Sequence, residues 1–164
     1  KRKAYPNFEG WPRWDTIAHQ QVWEGFLRDA HAKGLNLIVL SAVNFKPLCT
    51  LMPESNRRYD CEDMNAVERQ LEAAHRFVRT HHWAEIVLSS EHAREIIRSG
   101  KLAIMLAIEV SDLFSKGDWR RQLDHVYRLG VRSLQPAHQL DNRFAGVAPH
   151  HFIFKFFQIV RDLK

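Results

Sequence analysis

Three segments of the chain repeat one junction, in which a helical stretch ends at a glycine and an apolar strand begins. They read HAKGLNLIVLSAVN (His31 to Asn44), IRSGKLAIMLAIE (Ile97 to Glu109) and YRLGVRSLQPAH (Tyr127 to His138). Each glycine suits the left-handed backbone conformation that closes a helix. Helices and strands that alternate in this way predict an α/β fold.

The helices ahead of these junctions carry apolar stripes at helical spacing. The first stripe consists of Val22, Trp23, Phe26, Leu27 and Ala30. The last consists of Trp119, Leu123, Val126 and Tyr127. Between them we predict a helix from about Asp63 to Thr80, a short strand at Ala84 to Ser89, and a helix that Ser90 caps.

The strand segments LNLIVLSAV and KLAIMLAI are nearly continuous apolar runs, which is typical of parallel strands covered on both faces. No Gly-rich phosphate loop follows a strand, so barrel units are favoured over a doubly wound nucleotide-binding sheet. A complete eight-unit barrel needs about 250 residues, and only four strands are predicted among these 164 residues. We therefore predict a partial TIM barrel of about four βα units, forming a single but incomplete domain over residues 1–164.

Two connecting segments add to this outline. Residues 150–164 are rich in Phe, Ile and Val and are predicted to form an apolar helix that packs on barrel strands. Asn44 to Asp60 is predicted to be a long irregular loop, and loops after barrel strands lie over the ligand face, which makes this one a candidate lid.

Composition narrows the class of protein. The net charge of +5 comes from scattered basic residues rather than one stripe, so we expect no nucleic-acid partner. No apolar run reaches the roughly 18 residues of a membrane span, and no signal-peptide pattern opens the chain. These observations favour the cytoplasm but leave the compartment open. Cys49 and Cys61, the only cysteines, lack zinc-finger spacing, and a bridge between them stays open.

The carboxyl ends of parallel strands form the ligand face of α/β folds. The third predicted strand delivers Glu109 to that face and the fourth delivers His138. An acid and an imidazole at neighbouring strand ends suit metal ligation or proton transfer. From spacing alone, Glu109 is equally consistent with a helix cap or an Arg partner, and His138 with a structural role.

The order of these motifs resembles the membrane (renal) dipeptidase family of the amidohydrolase superfamily. The resemblance rests on LAIMLAIE ending at Glu109, on LGVR at Leu129 to Arg132, and on HQLDN at His138 to Asn142. It covers most of Trp11 to Ala148. It implies a TIM barrel that hydrolyses dipeptides with two zinc ions.

The same resemblance implies roles for individual residues. Glu109 would be the carboxylate that bridges both metals, since its two oxygens can hold two cations. His138 would contact a dipeptide-like small-molecule substrate and stabilise the tetrahedral intermediate. Asp141 and Asn142 match an Asp-Asn pair and would bind the substrate. A homodimer of the complete protein is left open.

Several positions depart from the family pattern. Val110 and Ser111 follow Glu109 where the family has two glycines, Ala137 replaces Thr, and Arg143-Phe144 replaces Pro-Trp. The His-x-Asp metal pair of the family's first strand does not occur in the sequence. We therefore expect this segment to be inactive alone. The alternative is a non-catalytic barrel relative that acts as a binding domain.

Overall fold

The computed structural model describes residues 24–148 and 151–162. Its helices are α1 (Glu24–Ala32), α2 (Lys46–Leu51), α3 (Asp63–Thr80), α4 (Ser90–Arg98), α5 (Trp119–Arg128) and α6 (Phe152–Asp162). Its strands are β1 (Leu37–Asn44), β2 (Ala84–Ile86), β3 (Leu102–Val110) and β4 (Val131–Gln135). The chain divides into two compact units between Asn36 and Leu37, and α1 belongs to the first. The predicted stripe residues Val22 and Trp23 lie outside the described residues.

All strand pairs in the sheet are parallel, and β3 takes part in each of them. On one side β1 runs beside it from Leu37, opposite Ala103, to Asn44, opposite Val110. On the other side β2 pairs with the first residues of β3, and β4 pairs with its second half. This arrangement confirms the predicted α/β class and the parallel strands of a partial βα barrel.

The core lies on and around β3, where seven of nine residues are buried. Val67 and Leu71 of α3 are fully buried, and α3 has the predicted bounds. The outer edge of β1 receives a side chain of the same helix. Gln70 accepts a hydrogen bond from the Val43 amide at 3.1 Å and donates one to the Val43 carbonyl at 2.9 Å.

The short strand and its helix differ from the prediction by a few residues. β2 ends at Ile86 rather than near Ser89, and Ser89 rather than Ser90 caps α4 by accepting a hydrogen bond from the His92 amide. The capping residue needs an extended backbone outside the helix, and Ser89 has it. Among the helices of residues 24–148 and 151–162, none has the length and apolarity to traverse a bilayer.

The three junction glycines all have the predicted positive φ, with Gly34 at 107°, Gly100 at 78° and Gly130 at 92°. Their surroundings differ. A Cβ at Gly100 would meet no atom within 4 Å, whereas a Cβ at Gly130 would lie 3.3 Å from Ile86 Cγ2. At Gly130 the chain therefore needs glycine both for its φ and for close packing against β2.

We predict that Gly130→Ala lowers the free energy of unfolding more than Gly100→Ala does. Positive φ costs alanine about 1–2 kcal/mol at either position, and crowding against Ile86 adds to that cost at Gly130 alone. Urea titration of both variants measures the difference. Equal losses would show that the packing at Gly130 tolerates a methyl group.

The connection from β1 to α3, residues 45–62, is more regular than the predicted loop. It contains α2, a 3-10 turn at Glu54–Asn56 and a disulfide between Cys49 and Cys61. Arg57 closes it further by donating to the carbonyls of Met52 and Thr50 at 2.8 and 2.6 Å. The connection is thus held together by contacts between its own residues. The two cysteines, whose pairing the sequence left open, form a disulfide.

We predict that Cys49→Ser/Cys61→Ser lowers the free energy of unfolding by about 3 kcal/mol, because a bridge across a loop of this size restricts the unfolded chain. Thermal unfolding under oxidising conditions measures it. Wild-type protein treated with a thiol reductant is the control and should match the double variant. Two titratable thiols in the native, oxidised protein would contradict the bridge.

Glu62 joins the end of this connection to two lysines. Its carboxylate accepts hydrogen bonds from Lys46 at 2.8 Å and from Lys116 at 3.1 Å. The hydrogen bond from Lys46, followed by that from Lys116, lowers the pKa of Glu62 below its ordinary value. The ionised carboxylate is therefore favoured in the folded state.

A lowered folded-state pKa gives stability that is present above the unfolded pKa and is lost as pH falls through the folded one. We predict that Glu62→Gln flattens the decline in the urea midpoint between about pH 6 and pH 3. Glu54→Gln, at a carboxylate that is 93% exposed on the same connection, is the matched control. A decline as steep in Glu62→Gln as in wild type would exclude this contribution.

Candidate active site at the carboxyl edge of the sheet

Glu109 and His138 lie side by side at the carboxyl edge of the sheet. Glu109 is the second-to-last residue of β3, and it pairs with Gln135, the last residue of β4. His138 follows three residues later, and its Nδ1 lies 2.7 Å from Glu109 Oε1. Both side chains remain partly accessible, at 18% for His138 and 29% for Glu109. Two residues that are 29 positions apart in sequence therefore converge on one surface.

The His138 ring is held by packing rather than by a hydrogen bond at Nδ1. That atom is buried and has no hydrogen-bond partner among the described residues, so the 2.7 Å approach to Glu109 lacks hydrogen-bond alignment. The Phe45 ring meets the imidazole edge-to-face, with centroids 6.3 Å apart. Phe45 in turn packs edge-to-face on Phe154 and Phe157 of α6, which makes it an aromatic wall beside the imidazole.

The two residues that follow Glu109 are both buried. Val110 is fully buried at the end of β3. Ser111 is also buried, and its hydroxyl accepts a hydrogen bond from the Gln139 amide at 3.3 Å. The segment after Glu109 is thus joined to the residue after His138.

Asp141 and Asn142 make their side-chain contacts with the backbone around their own loop. Asp141 accepts a hydrogen bond from the Val147 amide at 2.6 Å. Asn142 donates to the carbonyls of Ser111 and Pro136 at 3.0 and 2.7 Å. These contacts fix the loop that follows His138, and substrate binding by either residue stays a prediction.

Asp63 is a site-adjacent residue that sequence analysis missed. It is 1% exposed in the first turn of α3. Its Oδ1 accepts from Asn44 Nδ2 at 2.8 Å, and its Oδ2 accepts from the Asp112 amide at 2.8 Å. Burial raises the pKa of this carboxyl, and the hydrogen bonds oppose the rise. An Asp at the start of a helix ordinarily indicates only a favourable interaction with the helix dipole. The sequence around Asp63 therefore gave no indication of its contacts near the site.

The donor chemistry of this edge fits part of a zinc site. Glu109 offers carboxylate oxygens and His138 an imidazole nitrogen, both of which zinc accepts. Zinc takes about four ligands, and no group of three or more His, Cys, Asp or Glu residues in the described ranges could hold a metal. Further ligands are needed to complete such a site.

Comparison with known proteins places the chain in a family. The sequence profile named Membrane dipeptidase (peptidase family M19) matches residues 23–154, most of the chain and all of the strands described above. No curated protein sequence matches the chain. The matched range includes Glu109, His138 and the Asp141-Asn142 pair. The chain therefore belongs to the membrane dipeptidase family.

Proposed function

We propose that this chain supplies part of the active site of a metal-dependent dipeptidase, a hydrolase of dipeptides or related amides with a two-zinc centre. The observation that carries the proposal is the 2.7 Å approach of Glu109 to His138 at the carboxyl edge of a parallel sheet, in a chain of the membrane dipeptidase family. That edge is where α/β barrels bind their substrates.

Glu109 is the proposed bridging ligand. Its two oxygens can serve two cations, and the rigid, buried strand β3 fixes their position at the edge of the sheet. When bound, the two zinc ions would polarise the amide carbonyl and lower the pKa of a water molecule. The imidazole of His138 lies beside this carboxylate, with Nδ1 2.7 Å from Oε1.

His138 is the proposed contact to the substrate. An imidazole N–H can donate a hydrogen bond to the oxygen on which negative charge develops during amide hydrolysis. Phe45 limits the freedom of the ring by packing against it. Asp141 and Asn142 are proposed to bind the substrate, because their loop begins directly after His138 and is fixed by hydrogen bonds between their side chains and the backbone.

The second candidate is a barrel relative that binds a ligand without hydrolysing it. Val110 and Ser111 favour it, since they follow Glu109 where the family resemblance implies two glycines. Under either function, the residues described here provide too few ligands for two metal ions. The sequence also lacks the His-x-Asp metal pair that the family resemblance implies, so we propose that residues 1–164 alone are inactive.

We predict that the complete protein binds two zinc ions and hydrolyses dipeptides, and that Glu109→Ala lowers the hydrolysis rate by roughly 100-fold or more, because the bridging ligand is lost. Isothermal titration with zinc and a dipeptide panel measure both effects. Glu85→Ala is the matched control, because it removes a carboxylate at the opposite end of the sheet.

The outcomes separate the two candidates. Equal zinc stoichiometry in wild type and Glu109→Ala would exclude the bridging role. Zinc binding without hydrolysis of any dipeptide in the panel would favour the binding relative. Zinc-dependent hydrolysis by residues 1–164 alone would show that the chain contains a complete site.

A further inference from the structure

We infer that Asp63 is a positioning residue, which holds His138 against Glu109 through two separate routes. This inference rests on the proposed function, in which those two residues meet metal and substrate. Asp63 itself is 1% exposed and has no part in the proposed chemistry. A buried carboxylate is costly unless it is well hydrogen-bonded, so the contacts that it makes indicate its use.

The first route runs through the end of β1. Asp63 Oδ1 accepts a hydrogen bond from Asn44 Nδ2 at 2.8 Å, and the same amide group donates to the Cys61 carbonyl at 3.1 Å. Asn44 is the last residue of β1 and directly precedes Phe45. The Phe45 ring packs edge-to-face on His138. Asp63 thereby fixes the backbone from which the aromatic wall projects.

The second route runs through the turn after β3. Asp63 Oδ2 accepts a hydrogen bond from the Asp112 amide at 2.8 Å. The preceding residue, Ser111, accepts through its hydroxyl from the Gln139 amide and through its carbonyl from Asn142. Gln139 directly follows His138. One carboxylate therefore links the ends of β1 and β3, and each link leads on to the same imidazole.

The chemistry of the two contacts requires a carboxylate. Both neighbours are N–H donors, and an ionised Asp accepts through both oxygens at once. An Asn of the same shape offers one oxygen and one NH₂ group, so one of the two donors would face another donor. Asp63→Asn is thus a nearly isosteric change that breaks one route while it preserves volume.

The test uses nuclear magnetic resonance on the 164-residue chain. We expect Asp63→Asn to weaken the nuclear Overhauser effect between the Phe45 and His138 rings and to shift the His138 ring resonances. If the Asp112 amide loses its acceptor, its hydrogen-exchange protection should fall roughly tenfold or more, as for the loss of a hydrogen bond to a charged group. Asp60→Asn, at an exposed carboxylate three residues earlier, should leave all three readouts unchanged.

A second control separates positioning from general stability. Val67 is fully buried on the same helix, so Val67→Ala should lower the free energy of unfolding and leave the Phe45–His138 contact intact. If Val67→Ala disturbs that contact as much as Asp63→Asn does, Asp63 acts only through stability and the inference is wrong. It is also wrong if folded Asp63→Asn keeps the wild-type ring contact and His138 resonances.

Should Asp63→Asn fail to fold, Asn44→Ala tests the first route by itself. It removes the amide donor at a partly exposed position, and we expect it to weaken the Phe45–His138 contact. An unchanged contact would overturn the inference. Because these readouts need neither zinc nor substrate, an inactive complete protein would contradict the proposed function and leave the result for Asp63 standing.

Discussion

The structure depends on the pairing of β3 with every other strand of the described sheet. On one face of β3, Leu102, Ile104, Leu106, Ile108 and Val110 are at most 1% exposed. On the other face, Ala103 and Ala107 are also buried, so β3 is fixed by burial on both faces and by hydrogen bonds along both edges. The other strands take their register from it. Since Glu109 is next to the last residue of β3, the most constrained strand also presents the candidate ligand.

Sequence reasoning predicted the features that repeat along the chain or show a clear hydrophobic periodicity. The helix–glycine–strand junctions, the bounds of α3 and the parallel strands followed from local patterns. The position of β2 beside the first half of β3, with β4 beside the second half, did not follow. Short strands carry little periodic signal, and their neighbours are set by packing over long sequence separations. Asp63 was missed for a related reason, since Asn44 at the end of β1 and Asp112 in the turn after β3 are far apart in the chain.

The departures from the family pattern take a different meaning in three dimensions. Val110 and Ser111 stand where the family resemblance implies glycines. The Ser111 hydroxyl accepts a hydrogen bond from the Gln139 amide, and Val110 is fully buried in the core. The Ser111 side chain therefore connects the segments that carry Glu109 and His138. Substitutions that suggest a lost site from sequence alone are compatible with a site whose backbone is fixed by different contacts.

The contact of Gln70 with β1 limits how a further strand could pair with β1 at the level of Glu109. The Gln70 amide presents to Val43 the donor and acceptor that an adjoining strand would offer, and Val43 is level with Glu109 across the sheet. A strand that extended the sheet from β1 could not pair with Val43, because the Val43 amide and carbonyl already bond to Gln70. The Gln70 side chain of α3, rather than a neighbouring strand, therefore satisfies the edge of β1 level with Glu109.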